Sequence, residues 1–179
     1  NIESFLDGCI QVLQIKEDSR LHLRVLQYIS SPHFNLVATI RQWISKGGDR
    51  TLGIQLAGLI ANCFAEKSLE IGLMATDALC PIVKGFSCTD DVISLFEDVL
   101  NDLKVPLQLR SIYLISVCKM ESTEPSVLFN CMLAIDHILQ ELKDTDEFFH
   151  FLMDTVCSFF LHQPPSGKSP ETGFERCVD

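Results

Sequence analysis

The sequence predicts an all-α fold: about nine helices joined by brief turns and stacked into an irregular right-handed superhelix. Three observations carry that expectation. Apolar residues recur three and four positions apart along most of the chain, the spacing that puts them on one helical face. Proline, glycine and acidic residues interrupt the pattern where helices would end and begin. Between two amphipathic segments lies a run of fifteen uncharged residues, 51–65, which is too short to cross a bilayer and therefore needs other helices around it. At 179 residues and 47% hydrophobic content, the chain can bury one cohesive core.

The first helix spans residues 2 to about 15, with Phe5, Cys9, Ile10 and Leu13 on a common stripe, and the polar stretch 16–19 ends it. A second, 19–30, packs through Leu23, Leu26 and either Ile29 or Val25. Pro32 restricts the residue before it and suits the first turn of the third helix. That helix extends to Lys46 and stops at Gly47-Gly48, where either glycine can take the left-handed geometry of a helix end.

Asp49 is placed to cap the fourth helix, in which Leu52, Leu56, Leu59, Ile60 and Cys63 form a broad apolar surface and Gly53 and Gly58 permit close approach. The fifth, 68–84, carries Ile71, Met74, Ala75, Ala78, Leu79 and Ile82. Pro81 kinks or divides it, and Lys84-Gly85 is its expected end.

Thr89 with Asp90 and Asp91 opens the sixth helix, which contains Val92, Leu95, Phe96, Val99 and Leu103. Val105-Pro106 and Glu124-Pro125 start the seventh and eighth. Asp144 and Glu147 form a capping box for a ninth, built on Phe148, Phe149, Leu152, Val156, Phe159 and Phe160. Residues 1–162 thus read as a single helical domain and 163–179, with its Pro, Ser and Gly punctuation, as a flexible tail or linker.

The formal net charge is −10 and unevenly placed: residues 1–60 hold six Lys/Arg and five Asp/Glu, whereas 61–179 hold eight and nineteen. Duplex binding needs concentrated Lys and Arg to displace phosphate counterions, so no direct nucleic-acid partner is expected. Arg20, Arg24, Arg41, Lys46 and Arg50 read as scattered, solvated charges. No apolar run reaches membrane-spanning length and no signal-peptide core follows the N-terminus, so membrane insertion is not expected either. A start at Asn1 instead of Met reads as a fragment of a larger protein.

The eight cysteines, Cys9, Cys63, Cys80, Cys88, Cys118, Cys131, Cys157 and Cys177, are widely separated and mostly fall within apolar helical patterns. They read as small, reduced core residues of an intracellular protein, cytoplasmic or nuclear. There is no CxxC, and Cys157 with His162 supplies only two ligands in a context unlike a zinc finger. Neither a metal nor another cofactor is expected. The GKS of residues 167–169 lacks the spacing and the preceding strand of a phosphate-binding loop. His22, His33, His137, His150 and His162 stand in no Ser/His/Asp, Cys/His or HExxH arrangement, and no catalytic residue is expected.

The candidate sites are therefore surfaces for a protein or peptide. Asp90, Asp91, Glu97, Asp98 and Asp102 place carboxylates at spacings that share a helical face and would steer a partner with a basic segment, although the first two also suit a helix start. Trp43 and Phe34 are aromatic anchor candidates, with core packing as the alternative. Asn62 interrupts the uncharged run beside Leu59 and Cys63. Its amide can clamp a partner's extended backbone or bond a neighbouring helix end.

Residues 59–64, LIANCF, together with 54–57, IQLA, resemble the last-helix pattern of an armadillo repeat. The resemblance implies an armadillo/HEAT-like helical array in which the position of Asn62 faces the peptide-binding inner surface. The internal echo, LISVC at 114–118, has Val117 in the place of Asn62 and lies 55 residues on, longer than the usual period of about 40–47 residues. The expected function is a noncatalytic adaptor or scaffold presenting a helical groove. Self-association or inter-domain docking, and a regulatory domain attached to an enzyme, are the alternatives.

Overall fold

The computed structural model describes residues 1–122, 124–142 and 148–161. Among them are nine α-helices and no strand: α1 (Ile2–Gln14), α2 (Ser19–Ser30), α3 (Leu36–Ser45), α4 (Thr51–Asn62), α5 (Leu69–Phe86), α6 (Thr89–Asn101), α7 (Leu107–Lys119), α8 (Pro125–Glu141) and α9 (Phe148–Leu161), with a 3-10 turn at Cys63–Ala65 after α4.

Local chemistry accounts for several of the ends. The side chain of Asn1 accepts the Glu3 amide and that of Asp18 accepts the Leu21 amide, each at 3.1 Å, satisfying donors that have no partner within the first turn. Asp49 accepts both the amide and the hydroxyl of Thr51, at 2.8 and 2.7 Å. Those two bonds hold its carboxyl below the ordinary value. Gly47 takes the left-handed conformation, φ 94°, directly after α3. Pro106 and Glu124-Pro125 precede or begin α7 and α8 as their sequence position requires.

Three expectations about the ends are corrected. Helix α6 stops at Asn101, so Leu103 lies beyond it. Pro32 lies in the turn before α3, which begins only at Leu36. Gly85 does not terminate α5: the helix continues to Phe86, and Ser87, φ 55°, supplies the left-handed cap. Gly85 is small for another reason, since a Cβ there would stand 3.0 Å from the Cβ of Ile40 on α3. Pro81 sits inside α5 without dividing it. Its missing N–H leaves the Asp77 carbonyl without the usual helical donor. The expected capping box of Asp144 and Glu147, and the tail 163–179, lie outside the described residues.

The helices pack in an ordered pattern. Helix α2 lies on α5, α5 on α7, and α7 on α9, forming one row, while α1, α4, α6 and α8 adjoin one another in a second. The rows meet where α1 packs on α2, α4 on α5, and α6 on α7. Helix α3 is additional and lies against α5. At the centre, Ala75, Ala78, Leu79, Ile82 and Val83 of α5 have no exposed surface. A Cβ at Gly53 would meet the Phe86 ring at 2.5 Å, so glycine sets how closely α4 approaches α5.

An edge-to-face trio of Phe64, Phe96 and Tyr113, with centroids 4.8–5.9 Å apart, joins the 3-10 turn to α6 and α7. Polar ties span the same seams. Lys119 reaches from α7 to Asp77 at 2.7 Å and Thr76 at 2.8 Å on α5, and the buried Arg110 of α7 holds Glu141 of α8 through two bonds, 2.8 and 3.3 Å. No helix among the described residues is long and apolar enough to cross a membrane.

Candidate functional site

Helix α6 brings four of the five acidic candidates onto its surface region. Asp91, Leu95 and Asp98 are exposed at positions i, i+4 and i+7, so they share one face, with Asp102 following at the helix end. Leu95 is 58% exposed, because Val92, Ile93, Phe96 and Leu100 already fill the buried side. Asp90 is exposed near the start and accepts a long bond, 3.5 Å, from the Ser122 hydroxyl.

Two more of the acids have structural partners. Glu97 is half-buried and accepts the Asn130 amide of α8 at 3.1 Å, tying the two helices together. Asp102 accepts the amide of Lys104 at 2.9 Å and so orders the turn after α6. Asp91 and Asp98 are left as the acids that flank the exposed leucine.

Next to α6, α8 exposes Phe129 (60%), Met132 and Leu133. The sequence analysis did not single these out, yet a signal exists: α8 carries apolar residues on more faces than one core can cover. Val127, Cys131, Ala134, Ile135 and Ile138 are its buried set, Leu128 is half-buried against the core, and the other apolar residues face outward. Neither α6 nor α8 contains a Lys or Arg.

On the other side of α6, α4 presents Ile54, Gly58 and Asn62 as an exposed stripe four residues apart. Asn62 is therefore a surface amide at the end of α4. Leu59 is half-buried against the core and Cys63 is 2% exposed, so these two face inward. Trp43 is half-buried with its ring edge on Phe86, 6.3 Å between centroids, and its indole also closes over Gly48. Phe34 is 54% exposed and stands beside exposed Tyr28 at 6.2 Å. Both aromatics belong to the α3 side of α5, whereas the acidic residues belong to α6, whose neighbours are α4, α5, α7 and α8.

The seven described cysteines are free thiols. Burial raises the thiol pKa of Cys9, Cys80 and Cys131 to about 11 and that of Cys63 to about 12, the last with help from the Glu66 carboxylate. One mixed cluster of ligand-type side chains occurs among the described residues: His22, Cys63 and Glu66, whose ligand atoms all lie within 4.8 Å of one another. His22 comes from α2, and the other two are three residues apart across the 3-10 turn.

No protein-family model matches the chain, and no curated protein and no solved structure matches it.

Proposed function

We propose that this chain is a noncatalytic adaptor of armadillo/HEAT-like construction, and that the outer face of the row α4–α6–α8 receives a basic, amphipathic protein segment. One observation carries the reading: adjacent helices of a single row expose Ile54 and Asn62, then Asp91, Leu95 and Asp98, then Phe129, Met132 and Leu133. Apolar side chains with carboxylates among them, and no cation on α6 or α8, suit a partner with Lys or Arg beside apolar anchors. The carboxylates would speed encounter, and burial of Leu95 and Phe129 would slow release.

The paired stacking of helices in two rows supports the repeat-like construction, and the exposure of Asn62 leaves its amide accessible to a partner on this face. The described buried thiols are held protonated at neutral pH, which supports the noncatalytic reading as far as thiolate chemistry is concerned. Self-association through this face is disfavoured, since a two-fold contact would oppose Asp91 and Asp98 with their own copies.

The test uses a synthetic peptide with Leu and Lys at amphipathic helical spacing, and a second in which Glu replaces Lys. The Lys peptide binds and the Glu peptide does not. Reversing Asp91 and Asp98 to Lys slows association by about tenfold and flattens its salt dependence, while Leu95→Ala and Asn62→Ala chiefly speed dissociation. Equal association rates for wild type and the charge-reversed variant, both with intact helical circular dichroism, would remove this face from the model.

A further inference from the structure

The cluster of His22, Cys63 and Glu66 has the donor set and the supporting bonds of a metal site. His22 Nε2 lies 2.8 Å from the carbonyl oxygen of Ile15. A carbonyl only accepts, so Nε2 is the nitrogen that carries hydrogen and Nδ1 is turned toward the cluster. There Nδ1 meets Glu66 Oε1, an acceptor, and two such atoms remain in contact only with a cation between them, either a proton or a metal ion.

The second carboxylate oxygen of Glu66 accepts the Ser19 hydroxyl at 3.0 Å. Histidine and carboxylate are thus both oriented from outside the cluster, as the ligands of metal centres are. Cys63 is 2% exposed and His22 7%, while the Glu66 side chain is 18% exposed and opens the cluster to water on one side.

We propose that His22 Nδ1, Cys63 Sγ and Glu66 Oε1 bind a zinc-class divalent ion, with a fourth position open to water. Nitrogen, sulfur and oxygen together suit a borderline ion better than calcium or magnesium, which prefer all-oxygen shells. Bonds of about 2.0–2.3 Å at tetrahedral angles place ligand atoms about 3.3–3.7 Å apart, within the span already present. Entry of the ion needs His22 and Glu66 to separate, which the half-buried Glu66 permits at the end of its 3-10 turn.

As the metal–sulfur bond forms, the thiol proton leaves to solvent and the proton between His22 and Glu66 is displaced, with no change of oxidation state. Because the ligands come from α2 and from the α4–α5 junction, the ion would clamp the first two helices to the rest of the core.

The full chain, reduced and stripped with chelator, is titrated with Co²⁺ and then Zn²⁺. The expected result is saturation at a single ion, a thiolate-to-cobalt absorption band, bleaching of that band by Zn²⁺ with release of protons, and a raised unfolding temperature. His22→Gln and Glu66→Gln weaken cobalt binding about tenfold or more, and Cys157→Ser, which alters an exposed thiol, leaves the titration unchanged. Folded wild-type protein without a saturable thiolate band would overturn the proposal and leave a hydrogen bond between His22 and Glu66 as the content of the cluster. So would a band of undiminished affinity in both Gln variants. The wild-type titration decides the question even where a variant does not fold.

Discussion

Helices α5 and α6 follow one another in the chain and are both amphipathic, yet they meet opposite fates. Ten of the eighteen residues of α5 are buried, against four of thirteen in α6, so α5 is enclosed by helices and α6 is a wall with one wet side. The cause is position. Helix α5 receives α2, α3 and α4 and then α7, and its small residues Gly72, Ala75, Ala78 and Gly85 let those neighbours come close. Helix α6 packs mainly on α7 and α8 and exposes Leu95 between two carboxylates. Buried packing is therefore concentrated in α5 and exposed side chains in α6, where the proposed partner would bind, and substitutions should separate the two.

The largest effect is expected in α5. Leu79 has no exposed surface, and truncating it to Ala should destabilise the fold by about 2–5 kcal/mol, through lost burial plus the cavity left behind. Denaturant unfolding measures it. A loss below about 1 kcal/mol would show that the surroundings collapse into the gap and that α5 is no rigid centre.

A smaller, pH-dependent effect is expected where α7 meets α8. The hydrogen bonds from Arg110 hold the Glu141 carboxyl below its ordinary value of 4.5, with the guanidinium charge adding to them. A folded-state value below the unfolded one means that this stabilisation is complete above the ordinary value and is lost as pH falls through the lowered one. Glu141→Gln should therefore cost stability at neutral pH and converge with wild type in acid. Parallel curves of unfolding temperature against pH would show that the pair contributes no pH dependence.

The smallest effect on folding belongs to α6 and α8. Leu95→Ala and Phe129→Ala alter exposed side chains and should change stability by no more than about 0.5 kcal/mol, while weakening capture of the basic peptide. A destabilisation as large as that of Leu79→Ala would mean these side chains serve the core and would erase the contrast between the helices.

Periodicity made the helices legible with little loss. Helix α2 has its expected bounds, α5 runs two residues past its expected end, and Gly47 turns the chain where the sequence requires it. The shared exposed side of Asp91 and Asp98 was legible because i and i+7 positions lie on one helical face whatever the helix packs against. The exposure of Leu95 was not legible, because a helix with apolar residues on several sides does not declare which of them meets a neighbour. Gly85 was read as a terminator because its close approach to Ile40 depends on α3, forty-odd residues earlier in the chain.

The sequence by itself determined that this protein is helical, where its turns fall, that the region beyond residue 60 is acidic, and that Asn62 interrupts an apolar run. Only the tertiary structure decided that α5 is enclosed, that Asn62 is exposed while Cys63 beside it is buried, and that His22 meets Cys63 and Glu66. The physical reason is range. Helix formation and capping are settled by residues within about four positions of one another, whereas the choice among several apolar faces, and the meeting of ligands from separate helices, follows from which packing of the whole chain buries the most surface without voids.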